Sequence, residues 1–196
     1  MKNKTKYNAA LIAVSALFAA LLVGGKEALA VLPNIEVVTL LIALCAYVWG
    51  PVVVFPAVNV FIAVDMAIWG VNTWIISYFI HWNSVAVAFW LLGKIKYKHR
   101  AVEVVVATAF AVVFSAAFGA LTTAVDTLVG YTGEGFFVDF DNVLYRFAVM
   151  YVNGVSFYVT QILCNLVLFA VAFLPLEIVN RKAKLRMLSK DGQTTD

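Results

Sequence analysis

The sequence predicts an all-α integral membrane protein: six transmembrane helices forming one domain over residues 1–196, with both termini cytoplasmic. Three observations predict it. Hydrophobic residues make up 64% of the chain and charged residues 13%, a balance outside the soluble globular range. Twelve of the fourteen Lys and Arg residues fall in three clusters: Lys2, Lys4 and Lys6; Lys94, Lys96, Lys98 and Arg100; Arg181, Lys182, Lys184, Arg186 and Lys190. Cytoplasmic loops are enriched in such residues, so the clusters belong on one face of a bilayer, separated by even numbers of crossings. Between them run apolar stretches of the length that a bilayer core of about 30 Å demands.

The first span covers residues 8–31 and fades near Gly24-Gly25-Lys26-Glu27. It is longer than the apolar core of a signal peptide and carries no clear cleavage pattern, so it reads as a retained helix. Leu32-Pro33-Asn34 reads as a turn, with Asn34 the expected N-cap of the second span and Glu36 placed to favour its dipole. The second span is 35–49. Gly50-Pro51 stops it and starts the third, 51–65, with Pro suited to a first helical position and Pro56 an expected kink. Merging these two spans would leave five crossings and put the last basic cluster outside.

The fourth span is 74–93 and the fifth 102–125. A long outer loop follows, rich in Gly and acid: Gly130, Gly133, Glu134, Gly135, Asp139 and Asp141. The sixth span, 145–178, is longer than a perpendicular crossing needs and should tilt, bend near Pro175 or protrude. Four spans then separate the first two basic clusters and two separate the last two. Both numbers are even, as the charge pattern requires.

Polar residues at membrane depth are costly and mark candidate sites. Glu27, Glu36, Asp65, Asp126, Glu134, Asp139 and Asp141 all map to the outer side, where the only cations are Lys26 and Arg146. Hydrated loop ends account for the set as a whole; for Lys26, Glu36 and Arg146, at helix ends, an outward-facing pocket is an equal reading. On the sixth span Asn153, Phe157, Gln161 and Asn165 recur at every fourth position and share a slowly drifting face. Either interhelical hydrogen bonding or a wall facing a polar solute explains them. His81-Trp82-Asn83 reads as a packing device. Trp69, Trp74, Trp49 and Trp90 fit interfacial belts, although Trp74, Tyr78 and Trp82 also form a ladder able to stack on a flat ring. The first helix carries Ala9 and Ala13, then Ala16, Ala20 and Gly24, at four-residue intervals, which lets another helix approach closely.

Catalytic signatures are missing: there is no HExxH, GxSxG, P-loop or Cys/His cluster. The two cysteines, Cys45 and Cys164, sit in apolar stretches and suggest neither a disulfide nor a metal site. No enzyme, no cofactor, no metal and no nucleic-acid partner are therefore expected, since the net charge of +3 sits where topology puts it. Without an ATP site, active transport by this chain needs an energy source elsewhere.

The Ala spacing of the first helix, together with Lys26-Glu27-Ala28-Leu29-Ala30-Val31-Leu32-Pro33-Asn34-Ile35-Glu36-Val37-Val38-Thr39, resembles the substrate-binding S component of energy-coupling factor (ECF) vitamin transporters. The segment is similar to the LPN(I/V)E junction of one subgroup, with Val37 where that subgroup often has Pro. The resemblance covers most of the chain. It implies residence in a prokaryotic plasma membrane and a partner transmembrane coupling subunit with two cytoplasmic ATPases. It further implies a vitamin held at the outer side by the first loop and the last three helices, and toppling of the subunit to release it inward. Carried over by position, the docking residues are Ala9, Ala13, Ala16 and Ala20. The substrate-binding residues are Lys26, Asn34, Glu36, Trp74, Tyr78, Asn153, Phe157 and Gln161. The solute expected is cobalamin-like, with pyridoxine or a queuosine precursor next; the runner-up is a small carrier or channel that works alone.

Overall fold

The computed structural model describes residues 2–129, 131–132, 135–136 and 143–190, with side chains over 7–129 and 143–189. Six helices dominate it: α1 (Lys2–Ala28), α2 (Val38–Trp49), α3 (Pro51–Trp69), α4 (Trp74–Leu92), α5 (Arg100–Val129) and α6 (Val143–Lys190). Two-residue strands, Tyr131–Thr132 and Gly135–Phe136, pair antiparallel between α5 and α6. The other residues of the predicted acidic loop, among them Glu134, Asp139 and Asp141, lie outside the described residues.

Five of the six helices are long and apolar enough to cross a membrane. The chain is thus a multi-pass membrane protein. The exception is α2, whose 12 residues extend only about 18 Å at 1.5 Å per residue. At the other extreme α6 has 48 residues, about 72 Å of helix, so it runs well past any bilayer core.

Glycine sets two of the boundaries. Gly50 and Gly70 adopt φ of 83° and 82°, a region open to residues without a Cβ, and their N–H groups donate to the Ala46 and Met66 carbonyls. Pro51 then opens α3, as the Gly50-Pro51 pattern predicts. The expected end of the third span at Asp65 is corrected: α3 continues to Trp69, because the first residue able to terminate it is Gly70. Asp65 is therefore not a hydrated loop end. It lies inside α3 and is 1% exposed. The expected N-cap at Asn34 is also corrected. Val37 takes that place without a side-chain cap, and Asn34 adopts a left-handed turn conformation at φ 58°.

Hydrogen bonds between distant helices fix the up-down topology. At one end Lys26 of α1 meets Asp65 of α3, Trp69 of α3 meets Glu27 of α1, and Thr73 before α4 meets Asp126 of α5. At the opposite end Tyr47 Oη of α2 donates to Glu103 Oε1 of α5 at 2.7 Å, and Trp49 Nε1 donates to Asn180 Oδ1 of α6 at 3.2 Å. Arg100 bonds Glu103 at 2.7 Å and lies 3.8 Å from Glu177, which Arg181 also binds. Helix directions therefore alternate. The start of α1, the 93–100 loop and the end of α6 share one end, hereafter the basic end, and the 29–37 loop caps the other. This is the arrangement that the charge clusters require.

Contact is most extensive between α5 and α6, while α1 lies along α3 and α2 is wedged between α4 and α6. The core contains Ile42, Leu44, Phe61, Phe89, Phe169 and Phe173, all buried. Large apolar side chains such as Ile12, Val52, Val105, Val113 and Val171 point outward, as lipid contact demands.

Candidate functional site

The site begins with the shortness of α2. Glu36, two residues before α2, is bonded to Asn165, which sits near the middle of α6. The helix thus starts part-way down the bundle. The space above it is occupied by the 29–37 loop, held in successive turns by Leu29 N to Lys26 O, Leu32 N to Leu29 O and Ile35 N to Leu32 O. Between this loop and the neighbouring helices remains a cavity of about 290 Å³. Its walls include Lys26 of α1, Trp69 of α3, Tyr78 and Trp82 of α4, Phe118 of α5 and Gln161 of α6. The loop itself contributes Leu29, Pro33, Asn34 and Glu36, among others.

Aromatic groups form one side. Tyr78 packs edge-on against Trp74 at 4.9 Å and against Trp82 at 5.7 Å, and Trp82 stacks on Phe118 at 5.8 Å between ring centroids. The Lys26 ammonium lies 5.3 Å from the Trp74 ring and 5.1 Å from Tyr78, within range of cation–π attraction. It is also clamped by Asp65, with both carboxylate oxygens 2.5 Å from Nζ. That clamp joins the ends of α1 and α3.

Glu36 holds the opposite side together. Its Oε2 accepts from the Thr39 backbone N–H at 2.8 Å, which satisfies an otherwise unpaired group in the first turn of α2. Its Oε1 accepts from Thr39 Oγ1 at 2.5 Å and from Asn165 Nδ2 at 2.7 Å. Asn165 Nδ2 also donates to Ser115 Oγ at 2.9 Å, so one carboxylate links the loop to α2, α6 and α5.

Several buried polar atoms here have no hydrogen-bond partner among the described residues. Trp82 Nε1 and Gln161 Oε1 belong to residues that line the cavity, and Asn165 Oδ1 lies one turn below Gln161. Ser77 Oγ and His81 Nε2, on α4, are likewise unpaired. Leaving such an atom unpaired costs about 1–3 kcal/mol, so a cluster of them calls for a bound molecule, either water or a solute.

Comparison with family models, curated proteins and solved structures gives no match to this chain. The site must be read from its own residues. Among the described residues, no group of three or more His, Cys, Asp or Glu side chains is arranged to hold a metal ion.

Five of the eight residues proposed from sequence line the cavity: Lys26, Asn34, Glu36, Tyr78 and Gln161. Trp74 stands just outside, packed on Tyr78 and Lys26. Asn153 and Phe157 are exposed on the upper part of α6. Asn153 stands eight residues above Gln161, about 12 Å of helix, beyond the level where α2 begins. Arg146 does not line the cavity either. The stripe on α6 is thus divided by its neighbours, with Gln161 and Asn165 buried and the residues above them bare.

Sequence reasoning missed Trp69, Trp82 and Phe118 as wall residues. Trp82 was legible as the third rung of the Trp74, Tyr78, Trp82 ladder. Trp69 is indistinguishable in sequence from an interfacial anchor, and Phe118 is one of fifteen phenylalanines in an apolar chain. The four alanines, Ala9, Ala13, Ala16 and Ala20, are all exposed along α1, and a side chain built at Gly24 would meet no atom within 4 Å.

Proposed function

We propose that this chain is the substrate-binding S component of an ECF-type transporter. It captures a vitamin or related micronutrient from outside a prokaryotic cell and passes it inward with a separate coupling subunit and two ATPases. One observation carries the reading. A cavity of about 290 Å³, with aromatic walls and unpaired polar atoms, lies under the 29–37 loop, at the end of the bundle opposite the basic clusters. If basic loops face the cytoplasm, that end faces outward.

Three further features support it. The chain has no nucleotide-binding motif, in keeping with an engine supplied by partners. The small-residue stripe of α1 is exposed, leaving a close-packing surface for a coupling helix. Below the cavity Phe89, Phe169 and Phe173 are fully buried with ring centroids 5.5–6.4 Å apart, an apolar aromatic plug that disfavours the self-sufficient channel. Cavity size bears on the solute. Pockets for drug-sized ligands span about 300–1,000 Å³, so this one suits a single or fused ring such as pyridoxine or a queuosine precursor better than a corrin macrocycle.

The test is to purify the chain in nanodiscs, denature it and weigh what is released. One small molecule per chain is expected, with uptake into proteoliposomes only when the coupling subunit and ATPases are added. Uptake by the chain alone, insensitive to ATP, would overturn the reading.

A further inference from the structure

The charges around the cavity do not balance. Lys26 is the cation in its wall, and both oxygens of Asp65 bind its ammonium. Glu36 adds a carboxylate whose three hydrogen bonds come from Thr39 N, Thr39 Oγ1 and Asn165 Nδ2, none of them a full positive charge. The start of α2 offsets part of that charge through its dipole. A further carboxylate, Glu27, is bound to the indole of Trp69 at 2.9 Å. Among the described residues around the cavity, the one ammonium of Lys26 is thus set against the carboxylates of Asp65, Glu36 and Glu27, of which Asp65 alone binds it.

The unpaired atoms point the same way. Asn165 must turn its Nδ2 toward Glu36, because a carboxylate only accepts, and this leaves Oδ1 as an unpaired acceptor. Gln161, 2% exposed and lining the cavity, has an unpaired Oε1. Carboxylate and amide oxygens thus converge from the loop and α6, and they require donors. From α4, Trp82 Nε1–H, 4% exposed, requires one acceptor. Tyr78, Trp82 and Phe118 supply π faces, which attract a cation and stack on a flat ring.

We infer that the solute is an organic cation: a flat heteroaromatic ring bearing a protonated amine or amidine toward Glu36 and Gln161 and an acceptor toward Trp82 Nε1. This rests on the capture reading above and narrows it to one charge class. Anionic vitamins and phosphorylated forms are excluded, since among the described residues lining the cavity the one cation, Lys26, is already engaged by Asp65.

Three pyridines that differ at one substituent test it at pH 7: pyridoxamine with an ammonium, pyridoxine with a hydroxyl and 4-pyridoxate with a carboxylate. Equilibrium binding to the protein in nanodiscs should rank them in that order, pyridoxamine ahead of pyridoxine by about tenfold, the worth of one charge-assisted hydrogen bond. Glu36→Gln should shrink that ratio about tenfold. Preference for 4-pyridoxate, or an unchanged ratio in a Glu36→Gln protein that still folds, overturns the inference; the wild-type ranking stands without the variant. Should none of the three bind, the molecule released on denaturation decides: a net cation supports the inference and a neutral or anionic one overturns it. In the second case capture survives and only its charge selectivity falls, whereas a chain that binds and releases nothing overturns both.

Discussion

The Lys26–Asp65 pair offers the sharpest test of how the upper end of the bundle is held. The Asp65 side chain is 2% exposed and Lys26 24%. Removing one partner of a buried pair costs about 3–5 kcal/mol, because the other charge is left without compensation. The two single substitutions are not equivalent. In Asp65→Asn the lysine keeps a partly open route to water and can swing its ammonium outward, so the loss should fall near 3 kcal/mol, the low end of that range. In Lys26→Met the carboxylate has no such exit, and the loss should approach the top of the range, about 5 kcal/mol. The double variant, with both charges gone, should be more stable than either single one. Unfolding by SDS titration, followed through tryptophan fluorescence in mixed micelles, measures all four proteins. A loss of 3 kcal/mol moves the folding equilibrium more than about a hundredfold, well within reach of such a titration. If the double variant loses the sum of the two single losses, the residues act independently, and the clamp between α1 and α3 is refuted.

Two other expectations concern packing. A Cβ at Gly119 would come within 2.5–2.8 Å of the Tyr158 ring, and one at Gly154 would crowd the same ring from its own helix. Gly119→Ala and Gly154→Ala should each destabilise by about 1–3 kcal/mol through overpacking, and Tyr158→Leu should relieve part of each loss in the same titration. Ala16→Phe with Ala20→Phe, by contrast, alters exposed positions and should change stability by no more than about 0.5 kcal/mol. On the proposed function it should abolish coupled uptake yet leave solute binding intact; loss of both would assign the stripe to internal packing.

Much of this fold was legible in the sequence because a bilayer simplifies the problem. Backbone groups in lipid must be satisfied within the segment, so apolar length gives helices, and basic clusters give the relative orientation of their ends. The Gly50-Pro51 break was legible because both residues have a single local meaning there. Asp65 shows where that reasoning fails. A charge after an apolar run looks like the membrane boundary, yet α3 continues four residues further, to Trp69. The charge is tolerated inside because Lys26, 39 positions away, meets it.

The same division holds for the site. The resemblance of the 26–39 segment, with the aromatic ladder of the fourth span and the polar stripe of the sixth, was enough to single out Lys26, Asn34, Glu36, Tyr78 and Gln161. It could not divide the α6 stripe into a buried half and a bare half, because that depends on where α2 begins, and contacts between distant segments, from Asn165 and Cys164 to Glu36, set that level. Nor could it supply Phe118, whose role comes from stacking on Trp82 across two helices. By itself the sequence determined the number of helices, their alternation and the rarity of charge within them, all consequences of transfer between water and lipid. Tertiary structure alone decided which charges are spent on one another, which polar atoms go unpaired and where a cavity remains, because these depend on distances between segments that hydropathy does not encode.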